Sequence, residues 1–230
     1  MNERRSFYRN NPTIKFSKNQ VIYLCEETPN NLYCIKSGVI EECNYSSDGN
    51  RQLIVFEIIG DVFPKCVAFA KTSKTLFEYR AFTDCELYII KYDDFQSQLA
   101  YNIDFAKKML DRLAGLIVGS SLRIDALEKP NAEIKIIYMF RYFCLLYGSS
   151  RWNGFVRIEV PLTQQDLAEL TGLTRETINI EINRLTKMKI ISCSHKYYTV
   201  DTTYLNKIIE NDYKPELSLN LLRPHAKKSK

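Results

Sequence analysis

The chain has 230 residues, 45% hydrophobic and 12% aromatic, which is enough for one large domain or two ordinary ones with packed cores. Its formal charge of +5 is unevenly placed: residues 1–130 carry 17 Lys/Arg and 17 Asp/Glu, whereas residues 131–230 carry 15 and 10. The seven cysteines include no C-x-x-C pair, the two histidines stand far along the chain at His195 and His225, and no apolar run nears the ~20 residues needed to span a bilayer, which argues against zinc and iron–sulfur sites and against a membrane protein.

A neutral half joined to a basic half suits a sensing or assembly module beside one that binds a polyanion, although charge alone fits a solvated surface equally well. The opening Met1-Asn2-Glu3-Arg4-Arg5 has no hydrophobic signal region, so the expected location is cytoplasmic, with reduced thiols.

Residues 20–92 have the pattern of short strands. The apolar stretches Val21–Leu24, Leu32–Ile35, Leu53–Ile59 and Leu87–Ile90 alternate with turn signals at Pro29-Asn30-Asn31, Ser37-Gly38, Asp48-Gly49 and Gly60-Asp61. Many short strands at regular spacing predict a sandwich or barrel rather than βα units. The period changes at Ile103. Ile103, Ala106, Leu110, Leu113, Ile117, Ser120, Ile124 and Leu127 alternate at intervals of three and four, which is a heptad seam ending before Pro130. A helix of ~26 residues would be a rod of ~39 Å. The alternative is an intramolecular core helix, but no second heptad segment exists to pair with it, so a parallel self-pair is the simpler solution. Phe105, Met109 and Leu116 lie off the seam and are free to pack on the strand-rich domain. A further helix is predicted over Glu133–Tyr147, and a short strand over residues 156–160. The polar, basic tail from Asp212 is expected to be frayed.

The segment Thr163–Lys189 carries the functional signal. Thr163 is a good N-cap with Asp166 three residues on, and Leu167, Ala168 and Leu170 form a short apolar face. Gly172 supplies a left-handed turn, Thr174 caps a second helix, and Ile178, Ile182 and Leu185 are its buried positions. The spacing Ala168, Gly172, Ile178 is that of a helix-turn-helix, in which Ala168 must be small because the second helix crosses over it. Ile190–Ser192 and Tyr197–Val200 predict a hairpin wing with Ser194-His195-Lys196 at its tip.

Thr174-Arg175-Glu176-Thr177-Ile178-Asn179, followed by Asn183-Arg184-Leu185, resembles the recognition helix of the cyclic-AMP receptor/fumarate–nitrate regulator (Crp/Fnr) family of bacterial transcription regulators. Leu32-Tyr33-Cys34-Ile35-Lys36-Ser37-Gly38, Asp48-Gly49 and Gly60-Asp61 resemble that family's β-roll, and the likeness runs from about Phe16 to Glu210. It implies an α+β chain: a cyclic-nucleotide-binding-like β-roll (a double-stranded β-helix) over 1–100, a dimerisation helix over 101–130, a winged helix-turn-helix over 131–212 and a basic tail over 213–230. It also implies a homodimer on double-stranded DNA, with RNA polymerase as a further partner and no enzymatic activity.

By that resemblance Arg175 and Glu176 reach base edges, Arg toward guanine and Glu toward a cytosine amino group. Ile180 stands where a second base-reading arginine is usual, and either contacts a thymine methyl or is buried. Thr163, Gln164, Thr174 and Thr177 are candidate phosphate contacts, with capping or solvation as the alternative. Asn179, Asn183, Arg184 and Lys196 complete the candidate DNA-binding set, with Lys187 and Lys189 as diffuse phosphate neighbours.

The departures concern the effector. Family members that bind nucleotide hold the ribose with a glutamate soon after the Gly-Asp turn and the phosphate with an Arg-Ser pair. Counting from Gly60-Asp61, Lys65, Thr75 and Leu76 occupy those places, so cyclic AMP is not expected to bind in the family manner. The clustered cysteines of iron–sulfur members and the β-roll histidine of haem members are also missing, so no cofactor is expected and the effector is left open. The five cysteines before residue 100 are expected to be small core residues, with Cys66, beside Lys65, the most reactive candidate. Two rival classes fit less well. A sensor that does not act on DNA would keep the phosphate cassette and lack the recognition helix, and a cupin-like metalloenzyme would need histidines on its strands.

Overall fold

The computed structural model describes residues 4–70, 72–150 and 154–212. It divides into two compact bodies, Met1–Asp111 and Arg112–Lys230.

In the first body, β1 (Thr13–Phe16), β8 (Cys85–Ile90), β3 (Leu32–Ser37) and β6 (Val62–Phe63) form one four-stranded antiparallel sheet in that order. A second is built from β2 (Val21–Tyr23), β7 (Glu78–Ala81), β4 (Ile40–Tyr45) and β5 (Arg51–Glu57). The expected strands are all there. The apolar run at Leu32–Ile35 is continuous because β3 is buried on both faces. Tyr33 and Ile35 enter a cluster with Tyr23, Ile40, Phe63 and Tyr79, while Leu32 and Cys34 enter another with Val62, Phe95, Phe105 and Met109. Successive residues of a strand face opposite ways, so one six-residue strand serves both cores. Asp48-Gly49 lies in the β4–β5 loop as predicted, with Gly49 at φ +81° and its N–H donating to the Ser46 carbonyl at 2.9 Å.

Helix α1 (Lys65–Ala70) and an unexpected helix α2 (Tyr92–Tyr101) belong to this body. The predicted rod is α3, Ile103–Glu128, a 26-residue helix. Phe105 and Met109 are buried in the first body's core, as their off-seam positions suggested, and Leu116 is half-buried.

In the second body, α4 (Ala132–Tyr147) starts at Asn131, whose side chain accepts from the Ile134 N–H at 2.8 Å. Leu122 and Ala126 of α3 are buried here, and Gly119 lies so near α4 that an added Cβ would sit 2.6 Å from Leu146 Cδ1. The remaining elements are β9 (Gly148–Ser150), β10 (Phe155–Ile158), α5 (Gln164–Thr171), α6 (Arg175–Lys187), β11 (Ile191–Ser194), β12 (Tyr197–Asp201) and α7 (Thr202–Asp212). The wing hairpin β11–β12 is therefore half of a four-stranded sheet, β11-β12-β10-β9. Helix α7 was not anticipated and takes in Asp212, the start of the expected frayed tail; residues 213–230 lie outside the described residues. No helix of the described residues is long and apolar enough to cross a membrane.

Candidate nucleic-acid interface and effector pocket

Both helices of the motif are capped by their own side chains. Thr163 Oγ1 accepts from the Asp166 N–H at 3.1 Å, and Asp166 Oδ2 accepts from the Thr163 N–H at 2.8 Å, a reciprocal box that satisfies two N-terminal donors of α5. Gly172 ends α5 at φ +68°, the left-handed conformation expected of it, and donates its N–H to the Ala168 carbonyl at 2.9 Å. Thr174 then caps α6 by accepting from the Thr177 N–H at 3.2 Å. At the other end Lys189 adopts φ +60°, with the Ile190 and Lys189 N–H groups donating to the Leu185 and Thr186 carbonyls, a Schellman closure without glycine.

Ile178, Ile182 and Leu185 are buried beneath α6, and Leu167, Ala168 and Leu170 beneath α5. The turned-out face of α6 holds Arg175, Glu176, Asn179, Ile180 and Asn183, all exposed. The Glu176 carboxyl is held below its ordinary range by its own backbone N–H and the Thr174 hydroxyl, and so is charged and ready to accept a hydrogen bond. Asn179 Oδ1 accepts from Gln164 Nε2 and from Asn183 Nδ2, each at 3.1 Å, so three of the predicted residues form one amide chain across α5 and α6. Ile180 is 64% exposed, which removes burial as its explanation.

Arg184 stands apart from the other candidates. Its Nη1 lies 2.6 Å from Glu133 Oε2 on α4, with Glu181 at 3.8 Å, so its guanidinium faces acids of its own body. The hydroxyls of Thr163, Thr174 and Thr177 are likewise engaged in capping. Lys196 is exposed at the wing tip with His195 beside it, both at positive φ, and Arg157 of β10 stacks on the Tyr197 ring at 4.3 Å below them. Lys187 and Lys189 are exposed as well.

The seam residues of α3 are uncovered in the single chain. Ile103, Leu110, Ile117 and Ile124 are 72%, 64%, 68% and 62% exposed; Ser120 and Leu127 are exposed, and Ala106 and Leu113 half-buried. Four aliphatic side chains left in water along one stripe of a helix are a costly surface for an isolated chain.

The residues at the effector positions fall on three segments, the Gly60-Asp61 turn, the start of α1 and the stretch before β7. Gly60 and Asp61 make the turn before β6, where Asp61 Oδ2 accepts from the Ile58 N–H at 3.0 Å. Lys65 begins α1 and forms an ion pair with the fully buried Glu57. Beside that pair lie Glu42 and Tyr79. The Glu42 carboxyl is pushed up to about 7, first by burial and next by Glu57, with Lys65 and the Tyr79 hydroxyl pulling it down. Thr75 is buried, donating to the Leu24 carbonyl at 2.5 Å and accepting from the Glu27 N–H at 3.2 Å, while Leu76 is exposed. Glu42, Glu57 and Tyr79 were not singled out from the sequence. Consecutive glutamates, Glu41-Glu42, inside an otherwise strand-like stretch were the available signal; Glu41 pairs instead with Arg51 at 2.5 Å.

Of the five early cysteines, Cys34, Cys43 and Cys85 are buried as expected, and burial pushes the Cys43 thiol up to about 12. Cys25 corrects that expectation: it is exposed, with Sγ 3.3 Å from the Leu76 carbonyl, because it follows the end of β2 rather than pointing into the sheets. Cys66 is half-buried. Among the described residues no group of three or more His, Cys, Asp or Glu is placed to hold a metal ion.

Residues 139–208 match the Crp-like helix-turn-helix domain and residues 13–102 match the Cyclic nucleotide-binding domain. The Anaerobic regulatory protein of Haemophilus influenzae is 26% identical over 200 residues, covering 84% of this chain and 73% of its own length. The Fumarate and nitrate reduction regulatory protein of Yersinia pestis is 25% identical over 207 residues, covering 87% and 79%. The fold is shared with FixK2 from Bradyrhizobium japonicum, at TM-score 0.69 and 18% identity over 86% of this chain and 96% of that one. It is also shared with a CooA mutant from Carboxydothermus hydrogenoformans, at TM-score 0.68 and 18% identity over 88% and 89%.

Proposed function

Because this chain belongs to the Crp/Fnr family of DNA-binding transcription regulators, we propose that it acts as a cytoplasmic homodimer that reads a two-fold DNA site with the helix Thr174–Met188. The observation that carries this reading is the outward face of α6. Its caps and buried stripe are satisfied internally, and Arg175, Glu176, Asn179, Ile180 and Asn183 remain exposed. Arg175 supplies a bidentate donor for guanine O6/N7 and the charged Glu176 an acceptor for a cytosine amino group. Lys196, at the tip of a two-residue turn, supplies charge to the phosphate backbone. Arg184 is a positioning residue in this scheme, tying α6 to Glu133 of α4. The dimer forms through the α3 seam and sets the half-sites one helical turn apart, ~34–36 Å. RNA polymerase is the partner expected downstream, by family likeness alone.

The test separates base reading from backbone attraction. Arg175→Ala should weaken the preferred site by about 1–3 kcal/mol per half-site and flatten the preference at one base pair in each, with random DNA much less affected. Lys196→Ala should weaken every sequence and lower the salt slope by about one unit per wing. Preferred sequences selected from random DNA by the wild type and both variants decide the matter. If Arg175→Ala keeps the wild-type motif while Lys196→Ala alters it, α6 is not the reading helix.

The first body does not take cyclic AMP in the family manner on this reading. The Lys65 ammonium already faces Glu57, the Thr75 hydroxyl is committed to Leu24 and Glu27, and Leu76 offers no donor. Calorimetry at millimolar cyclic AMP should give no saturable heat; micromolar binding would show that other groups form a nucleotide site.

A further inference from the structure

We infer that Ile180 reads thymine, its side chain packing against the C5-methyl group of one thymine in each half-site; this rests on α6 being the DNA-reading helix. Ile180 lies two residues from both Ile178 and Ile182, so at 3.6 residues per turn it points away from the stripe that anchors α6. It occupies the middle of the outward face and is 64% exposed. Its neighbours three and four positions away are Thr177, Glu176, Asn183 and Arg184, so no apolar residue of the helix can share its burial. A β-branched residue is also a mediocre helix former, so at an exposed position it contributes little to the free protein.

A lone aliphatic side chain ringed by polar groups is too small to dock another protein, which needs a contiguous apolar patch. In the major groove the match is specific. Guanine, cytosine and adenine present donors and acceptors there, and thymine alone among the four adds an apolar methyl group. Arg175 and Glu176, one turn earlier on α6, would hold the register by polar contacts while Ile180 selects a neighbouring T·A pair.

The test starts from the DNA sequence the wild type selects. Each thymine is replaced in turn, in both half-sites together, by deoxyuridine, which lacks only the methyl group. One symmetric position should then weaken wild-type binding about fourfold per half-site, the effect of one methyl-sized group returned to water. Ile180→Ala should bind the thymine and deoxyuridine sites equally. Circular dichroism should find this variant as helical as the wild type, since alanine favours helix and the position is exposed. A selected site at which no thymine is sensitive, or a sensitivity that persists in Ile180→Ala, overturns the inference while leaving the DNA-reading role of α6 intact. Failure to select any sequence would overturn both.

Discussion

A Leu113→Asp/Ile117→Asp double variant should sediment as a monomer and lose most of its affinity for a two-fold DNA site. Both positions belong to the alternating stripe of α3, and Ile117 is 68% exposed in the single chain. Paired in a seam, each aspartate would be taken out of water beside aliphatic side chains with no cation to meet it, at a cost of several kcal/mol per interface. In the single chain Ile117 is exposed and Leu113 only half-buried, so little of that penalty applies and the variant should keep its helical circular dichroism. Splitting two linked half-site contacts into independent ones removes their mutual high effective concentration, worth roughly 10²–10⁴ in apparent affinity. Sedimentation and DNA titration read the two effects separately. A variant that stays dimeric would place the interface away from α3.

The second large effect is expected at Lys65. Lys65→Met keeps most of the length of the side chain and removes its charge, leaving the buried Glu57 without the ammonium it faces. Breaking a buried pair from one side costs about 3–5 kcal/mol, and urea unfolding at pH 8 should register a loss of that order. The pH dependence has a definite sign. In the wild type the Glu42 carboxyl is pushed up to about 7 from an ordinary 4.5 by burial and by Glu57. Between those values the folded chain holds a proton that the unfolded chain releases, so this group's contribution to stability falls as pH rises through the window. Removing Lys65 takes away a cation that eases ionisation, so the variant should recover part of its loss at pH 5.5 as the Glu42 carboxyl protonates. Glu57→Gln added to Lys65→Met should restore much of the stability at pH 8. A single variant as stable as the wild type at pH 8 would show that Lys65 does not sustain Glu57.

What could be anticipated from the chain was governed by local rules. The caps at Thr163 and Thr174, the left-handed Gly172 and the length of α3 depend on residues within a turn or two of each other, or on a repeat sustained over nearly four heptads. The alternation that put Phe105 and Met109 off the seam placed them in a core without knowledge of that core's other members. The missed elements lack such signals. Helix α2 buries only Phe95, so its periodicity is nearly silent. Strand β9 is Gly148-Ser149-Ser150 and is held by pairing with Val156, Arg157 and Ile158. The Glu42–Glu57–Lys65–Tyr79 group draws on two adjacent strands, the start of α1 and a third strand, and only the three-dimensional pairing brings them together. On α6, the identities of the exposed residues were legible. The bond from Gln164 to Asn179 and the pairing of Arg184 with Glu133 depend on neighbours 15 and 51 positions away.

The wing tip has a consequence of its own. His195 and Lys196 sit at φ +51° and +71°, the two central positions of a hairpin turn that Asn-Gly would adopt with little strain. Side chains larger than glycine cost roughly 1–2 kcal/mol each in that conformation. The hairpin between Ser194 and Tyr197 is therefore less stable than its backbone permits, and the sheet formed with β10 and β9 must offset the difference. Two protruding polar side chains are what the chain has in return. At this turn the requirements of folding and of contact oppose each other, so a sequence improved for thermal endurance alone would drift toward a bare tip.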